Sequence, residues 1–304
     1  MTDSHRWRQF WEDKSKANVA DFEVDRLRPP GDQEIENLSE QELVNFTAPE
    51  RLETILDAGC GTGVNILRLH SRARNIIGID YAWGSLERCQ KRIQTHRVTN
   101  AHLCLASVTA IPLPDCSVDR VLCLSVLQYM DDEEVRQVLR ELVRVLSPGG
   151  VIILHVKNSS SLYWSTLRLA KALMGLLRRT NPLCYLRSFR WYAHELRRLN
   201  CTVLDYNSFN LLTFERMPKR LLSLLQRCEL RYRHTRLLRT PAVRGRGADL
   251  KIKAAVAGRG ELHGSETPVE VAASTDPRLP TRCCVRSIAV QMGWIGLWRH
   301  RLAE

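Results

Sequence analysis

From Arg51 to about Leu154, short apolar runs alternate with stretches whose apolar residues recur at helical spacing. This is the signature of repeated βα units on a parallel sheet. "TILDA" (Thr54 to Ala58), "NIIGID" (Asn75 to Asp80), "AHLCLA" (Ala101 to Ala106), "RVLCLS" (Arg120 to Ser125) and "VIILHV" (Val151 to Val156) read as strands. They are apolar on both alternating faces, as strands covered by helices on each side should be. The clearest helix runs from about Asp132 to Leu146, with Val135, Val138, Leu139, Leu142, Val143 and Leu146 on one stripe. Asp131 and Glu134 are placed as its capping box, and Pro148-Gly149-Gly150 as its stop. Another helix is expected to follow Ser85 as N-cap, through Leu86, Cys89 and Ile93.

Past Val156 the pattern changes. Ser161 to Arg179 reads as an amphipathic helix with bulky apolar residues, and "RSFRWYAHELRRLN" as a second helix ending at Asn200. "CTVLDYNSF" reads as a strand, "PKRLLSLLQRCEL" as a helix and "DLKIKAAVAG" as a last strand, so the sheet is expected to gain two more strands. From Gly258 the composition turns to Gly, Pro, Ser, Thr and Glu, which reads as a linker. The organisation expected is a helical cap over 1–50, one α/β domain over 51–258 with helical insertions at about 159–200 and 209–248, and a linker-like tail over 259–304.

Composition narrows the partners. The chain of 304 residues is 44% hydrophobic, enough for a real core, and 45 Lys+Arg against 33 Asp+Glu leave a charge of +12. That balance points to anionic partners without naming one. Ten cysteines are scattered without C-x-x-C spacing, no metal-ligand pattern is read, and neither an apolar leader nor a membrane span is seen. A reduced, cytoplasmic chain is the expectation.

The stretch "LDAGCGTG" places Gly59, Gly61 and Gly63 between the first strand and a helix starting near Val64. Such a loop lies at the carboxyl edge of a parallel sheet, where doubly wound folds bind ligands at a helix's positive end. The second strand ends in Asp80, about 20 residues on, where a carboxylate can accept both hydroxyls of a ribose. A dinucleotide would call for G-x-G-x-x-G, but Val64 stands at the third glycine position. Asp57 stands where a pyrophosphate would be repelled. Both departures favour an adenosine ligand with a cationic or zwitterionic group.

"LDAGCGTG", "GID", "IPLPDCSVDRVLC" and "LSPGG" together resemble the class I S-adenosylmethionine-dependent methyltransferases, over about Arg51 to Val156. The resemblance implies a Rossmann-like, doubly wound sheet of seven strands, with S-adenosylmethionine as cofactor. By it, Gly59, Cys60, Gly61 and Gly63 lie against the methionine and ribose parts, Asp80 holds the ribose and Tyr81 packs on adenine. Asp57 would orient the amino end, and Ser125 would line the site at the end of the fourth strand. Where many members carry an acidic residue for the adenine amino group this chain has Ser107, so adenine would be held by stacking and by the Val108 backbone.

Methyl transfer needs a general base only where the acceptor is protonated at neutral pH. The candidates are Tyr129 after the fourth strand, His155 at the end of the fifth, and His194, which with Trp191 and Tyr192 is a candidate for lining an acceptor pocket. Each has a plainer alternative: an aromatic wall, a hydrogen-bonded core histidine and a surface cap. No N/D-P-P-Y/F/W motif and no Pro-Cys nucleophile follows the fourth strand, which lowers nucleic acid as substrate. Arginines from Arg178 to Arg239, Arg187 and Arg190 among them, could follow phosphates or simply be solvated faces. The helix of Leu162 to Leu177 could rest on an anionic membrane surface or pack as a lid. The function expected is methyl transfer to a small-molecule, glycan or lipid-precursor acceptor at oxygen. An RNA-directed enzyme and a non-catalytic regulatory protein are the alternatives.

Overall fold

A computed structural model describes residues 3–17, 45–46, 53–161, 185–209 and 249–256. The helices expected over 162–177 and from Pro218, and the tail after Gly258, lie outside the described residues. An amino-terminal helix, α1 (Asp3–Lys16), precedes the α/β core. The core then runs β1 (Glu53–Ala58), α2 (Val64–Leu69), β2 (Ala73–Asp80), α3 (Trp83–Thr95), β3 (Ala101–Leu105), β4 (Val118–Leu124), α4 (Asp132–Val145) and β5 (Leu146–Lys157). It closes with α5 (Phe189–Arg198), β6 (Cys201–Phe209) and β7 (Asp249–Val256).

The seven strands form one sheet in the order β3-β2-β1-β4-β5-β7-β6. The first five are parallel, while β7 inserts antiparallel between β5 and β6. Helices on both faces explain why the central strands are apolar throughout. One face carries Leu56, Val121, Ile152, Leu154 and Ile252 against the stripes of α4 and α5; the other packs Ile55, Leu122 and Ile153 with α2 and α3.

The α4 boundary is written in its own residues. Asp131 accepts from the amides of Glu133 (3.0 Å) and Glu134 (2.9 Å), and Glu134 Oε2 accepts from the Asp131 amide at 3.0 Å. Asp131→Ala is expected to cost about 1 kcal/mol, the worth of an N-cap, read as a lower urea midpoint; an unchanged midpoint would mean that packing alone holds the helix.

Two local expectations change. Helix α4 stops not at the Pro-Gly-Gly sequence but where Leu146 turns extended and enters β5 directly. Val118 pairs with Leu146 and Arg120 with Val151, so the segment between them bulges from the ladder, with Gly149 at φ +74°. Ser85 is not the N-cap of α3 but a buried residue inside its first turn. The cap residue, Ala82, has no side chain to offer; Glu12 of α1 supplies the carboxylate, accepting from the Gly84 amide at 3.3 Å. Among the described residues no helix is long and apolar enough to cross a membrane.

Candidate functional site

Strand order reverses direction at β1: β2 lies on one side of it and β4 on the other. The crevice at their carboxyl ends is where ligands of doubly wound sheets bind. Gly59, Gly61 and Gly63 all take positive φ there (83°, 52° and 81°), which glycine allows without strain. At two of them the protein itself occupies the space: a Cβ on Gly59 would lie 2.3 Å from Val126 Cγ2, and one on Gly63 2.3 Å from Cys89 Sγ. The loop is thus clamped between the turn after β4 and helix α3.

The loop amides are also engaged. Those of Gly59 and Cys60 both donate to the Ile79 carbonyl (2.8 and 3.0 Å), that of Gly61 to Asp80 Oδ2 (3.0 Å) and that of Gly63 to the Cys60 carbonyl (2.9 Å). A phosphate would want those donors, so the loop is no pyrophosphate cradle. It fits a ligand that brings its own donors, hydroxyl or ammonium. Asp57, wholly buried in β1 beneath the loop, adds a second carboxyl group there.

Asp80 ends β2 with Oδ1 accepting from the Ala82 amide (2.8 Å) and Oδ2 from Gly61. Burial pushes its carboxyl above the ordinary range, the amides of Ala82, Gly61 and Tyr81 pull it back, and the charge of Glu12 adds to the rise. Each oxygen has a second lone pair, so Asp80 retains the acceptor capacity that a ribose requires. Tyr81 is half-buried, and burial raises its hydroxyl's pKa. Cys60 turns its thiol into the core beside Cys89 and presents only backbone. Ser107 Oγ lies 2.7 Å from Thr109 Oγ1 in a local turn, and the Val108 side chain is buried in the core.

At the neighbouring strand ends, Ser125 takes φ +62°, rare for a residue with a side chain. Its amide donates to the His155 carbonyl (2.8 Å), and its Oγ lies 3.0 Å from His155 Nδ1. The sequence offered Ser125 and His155 separately; strand register makes them a pair. Tyr129 ends a single turn, Leu127–Tyr129, where its hydroxyl accepts from Gln128 Nε2 at 3.1 Å and its ring meets Trp7 and Trp11. Its ring is thus part of an aromatic cluster with α1. His194 sits on the exposed side of α5, apart from these groups, while Tyr192 is buried in the core and Trp191 stacks under Arg136 and Arg187.

Arg187 is the residue that sequence reading placed least well. It does not follow phosphates but is buried: Nε binds Asp132 Oδ1 (2.7 Å), and its Nη atoms donate to the carbonyls of Leu127 (3.1 Å) and Met130 (2.7 Å). It pins the turn that carries Tyr129.

Residues 55–150 match a family model described as a methyltransferase domain. The chain is 34% identical over 110 residues to malonyl-[acyl-carrier protein] O-methyltransferase of Serratia marcescens, covering 36% of this chain and 40% of that protein. It is 36% identical over 104 residues to a probable S-adenosylmethionine-dependent methyltransferase of Mycolicibacterium smegmatis, covering 34% and 38%. The chain therefore spans about two fifths of the length of these curated relatives. Among solved structures it is similar in fold to phosphoethanolamine N-methyltransferase 1 of Haemonchus contortus, crystallised with phosphoethanolamine and S-adenosylhomocysteine: TM-score 0.59, 18% identity, 87% of this chain and 52% of that one. Residues 55–150 thus form a methyltransferase domain, similar in sequence to S-adenosylmethionine-dependent methyltransferases and carried on a Rossmann-like sheet.

Proposed function

We propose that this protein transfers a methyl group from S-adenosylmethionine to an oxygen of a small-molecule, glycan or lipid-precursor acceptor. The observation that carries the cofactor reading is Asp80 held on the Gly61 amide at the crevice, in a loop four of whose amides, those of Gly59, Cys60, Gly61 and Gly63, are spent within the protein. That site suits ribose hydroxyls and an ammonium group and disfavours a pyrophosphate. Bound there, the cofactor would supply a methyl carbon already activated by sulfonium charge. Asp80 would accept from the ribose, Asp57 would set the charge at the amino end, and the loop backbone would fix the position.

Oxygen as the acceptor atom is supported by the Ser125 and His155 pair, and by one relative being named an O-methyltransferase. With Nδ1 of His155 unprotonated, Ser125 Oγ donates to it, and an acceptor hydroxyl bonded to Ser125 can pass its proton along that contact.

Two measurements check this reading. Titrating the full chain with S-adenosylhomocysteine should show binding that Asp80→Asn weakens about 10- to 100-fold, the worth of about 1.5 to 3 kcal/mol for bonds to a charged acceptor. Because burial raises the Asp80 carboxyl, wild-type affinity should fall as pH is lowered through a value above that of an ordinary aspartate. Equal affinity in the two proteins would remove Asp80 from the site. Incubation with methyl-labelled cofactor and fractionated cell extract should place label in small polar molecules, glycans or lipid; label in RNA alone would overturn the acceptor class.

A further inference from the structure

Helix α1 is anchored at two places that bracket the crevice. At its carboxyl half, Glu12 caps the Gly84 amide, and Arg88 of α3 donates to the carbonyls of Ser15 (2.7 Å) and Ala17. Each helix end thereby receives a side chain of the charge its dipole favours. Gly84 is required by the contact itself, since a Cβ there would lie 2.1 Å from Ser15 Oγ. At its amino half, Trp7 and Trp11 pack on Tyr129, with ring centroids 4.6 and 5.5 Å apart.

Gly84 follows β2 and Tyr129 follows β4, and β1 with its glycine loop lies between those strands. Two strand spacings are about 10 Å, and the eight residues from Trp7 to Ser15 rise about 12 Å. The helix has the length needed to cross the mouth of the crevice from one strand end to the other. Glu12 Oε2 accepts from the Gly84 amide and Asp80 Oδ1 from that of Ala82, two residues earlier, which places the helix beside the ribose position.

From this placement we infer that α1 is the outer wall of the cofactor site, with Trp11 and Glu12 facing the bound nucleoside, and that cofactor leaves only after α1 lifts off α3 and Tyr129. The inference rests on the cofactor reading above. The acceptor then approaches from the β5 side, where Ser125 and His155 stand.

Gly84→Ala is the informative variant. Gly84 lies in the first turn of α3 at an ordinary helical φ, so alanine suits α3 itself while its methyl displaces Ser15. Ser15→Gly in the same chain removes both colliding atoms and should restore docking. The probe is S-adenosylhomocysteine on the full chain, with its release followed by stopped-flow chase and with hydrogen exchange of residues 3–17. In wild type, binding should slow exchange across α1. Gly84→Ala and Trp11→Ala should each speed release at least tenfold, and the Gly84→Ala/Ser15→Gly pair should return it towards wild type. Release within twofold of wild type in both single variants, or α1 exchange indifferent to ligand while the glycine loop becomes protected, overturns the inference and leaves the cofactor reading standing. Failure of wild type to bind the probe overturns both.

Discussion

Replacing Arg187 by methionine is expected to lower the stability of the fold by about 2 to 6 kcal/mol, because two buried carbonyls each lose a donor at about 1 to 3 kcal/mol. Those carbonyls belong to Leu127 and Met130, in the turn after β4, and methionine has no group that reaches them. The guanidinium is also stacked 5.0 Å from the Trp191 ring and 5.7 Å from that of Tyr185. Asp132, the third partner, is mostly exposed and contributes less, since water can take over its bond. Arg187→Lys should recover only part of the loss, because a point charge cannot fork to two carbonyls and a carboxylate. Urea unfolding of both variants checks this, with a shifted midpoint and an unchanged slope as the expected pattern. A loss below about 1 kcal/mol for the methionine variant would put Arg187 among ordinary surface residues.

Arg187 also shows where sequence reading runs out. Its partners lie 55 to 60 residues away, and nothing local distinguishes it from Arg190, which is exposed. What sequence carries well is whatever periodicity or a short span encodes: the five parallel strands were placed from their apolar runs, and the α4 capping box from two residues, Asp131 and Glu134. The glycine loop and Asp80 were legible for the same reason, since a loop and the next strand end make one local unit. The antiparallel entry of β7 was not legible, because alternation gives a strand's faces but not its neighbour. The glycines show both sides of this: their positive φ could be anticipated from residue type, whereas Val126 and Cys89 filling the space beside them come from the turn after β4 and from α3. The cap of α3 was misplaced at Ser85 because its carboxylate comes from Glu12, 72 residues earlier.

At the amino ends of the central strands β1 and β4, Arg120→Met is expected to cost about 3 to 5 kcal/mol, the usual result of leaving one member of a buried ion pair without the other. Glu53 opens β1 and is 8% exposed, and Arg120, in β4, is 4% exposed. Arg120 Nε lies 2.6 Å from Glu53 Oε2 and Nη2 3.3 Å from Oε1, a bidentate contact across adjacent strands. The sign of the pair's net contribution is a separate matter, because desolvating both charges offsets most of their attraction. The double variant Glu53→Leu/Arg120→Met should therefore recover most of the loss, leaving the protein within about 1 kcal/mol of wild type. A urea series on the two single variants and the double gives the coupling directly. The pair sits at the amino end of β1, away from the glycine loop at its carboxyl end, so S-adenosylhomocysteine affinity measured well below the unfolding midpoint should not change in any of the three. Additive losses with no recovery would show that the two side chains hold the strand ends independently, and a fall in affinity would mean that strain at this end reaches the loop through β1.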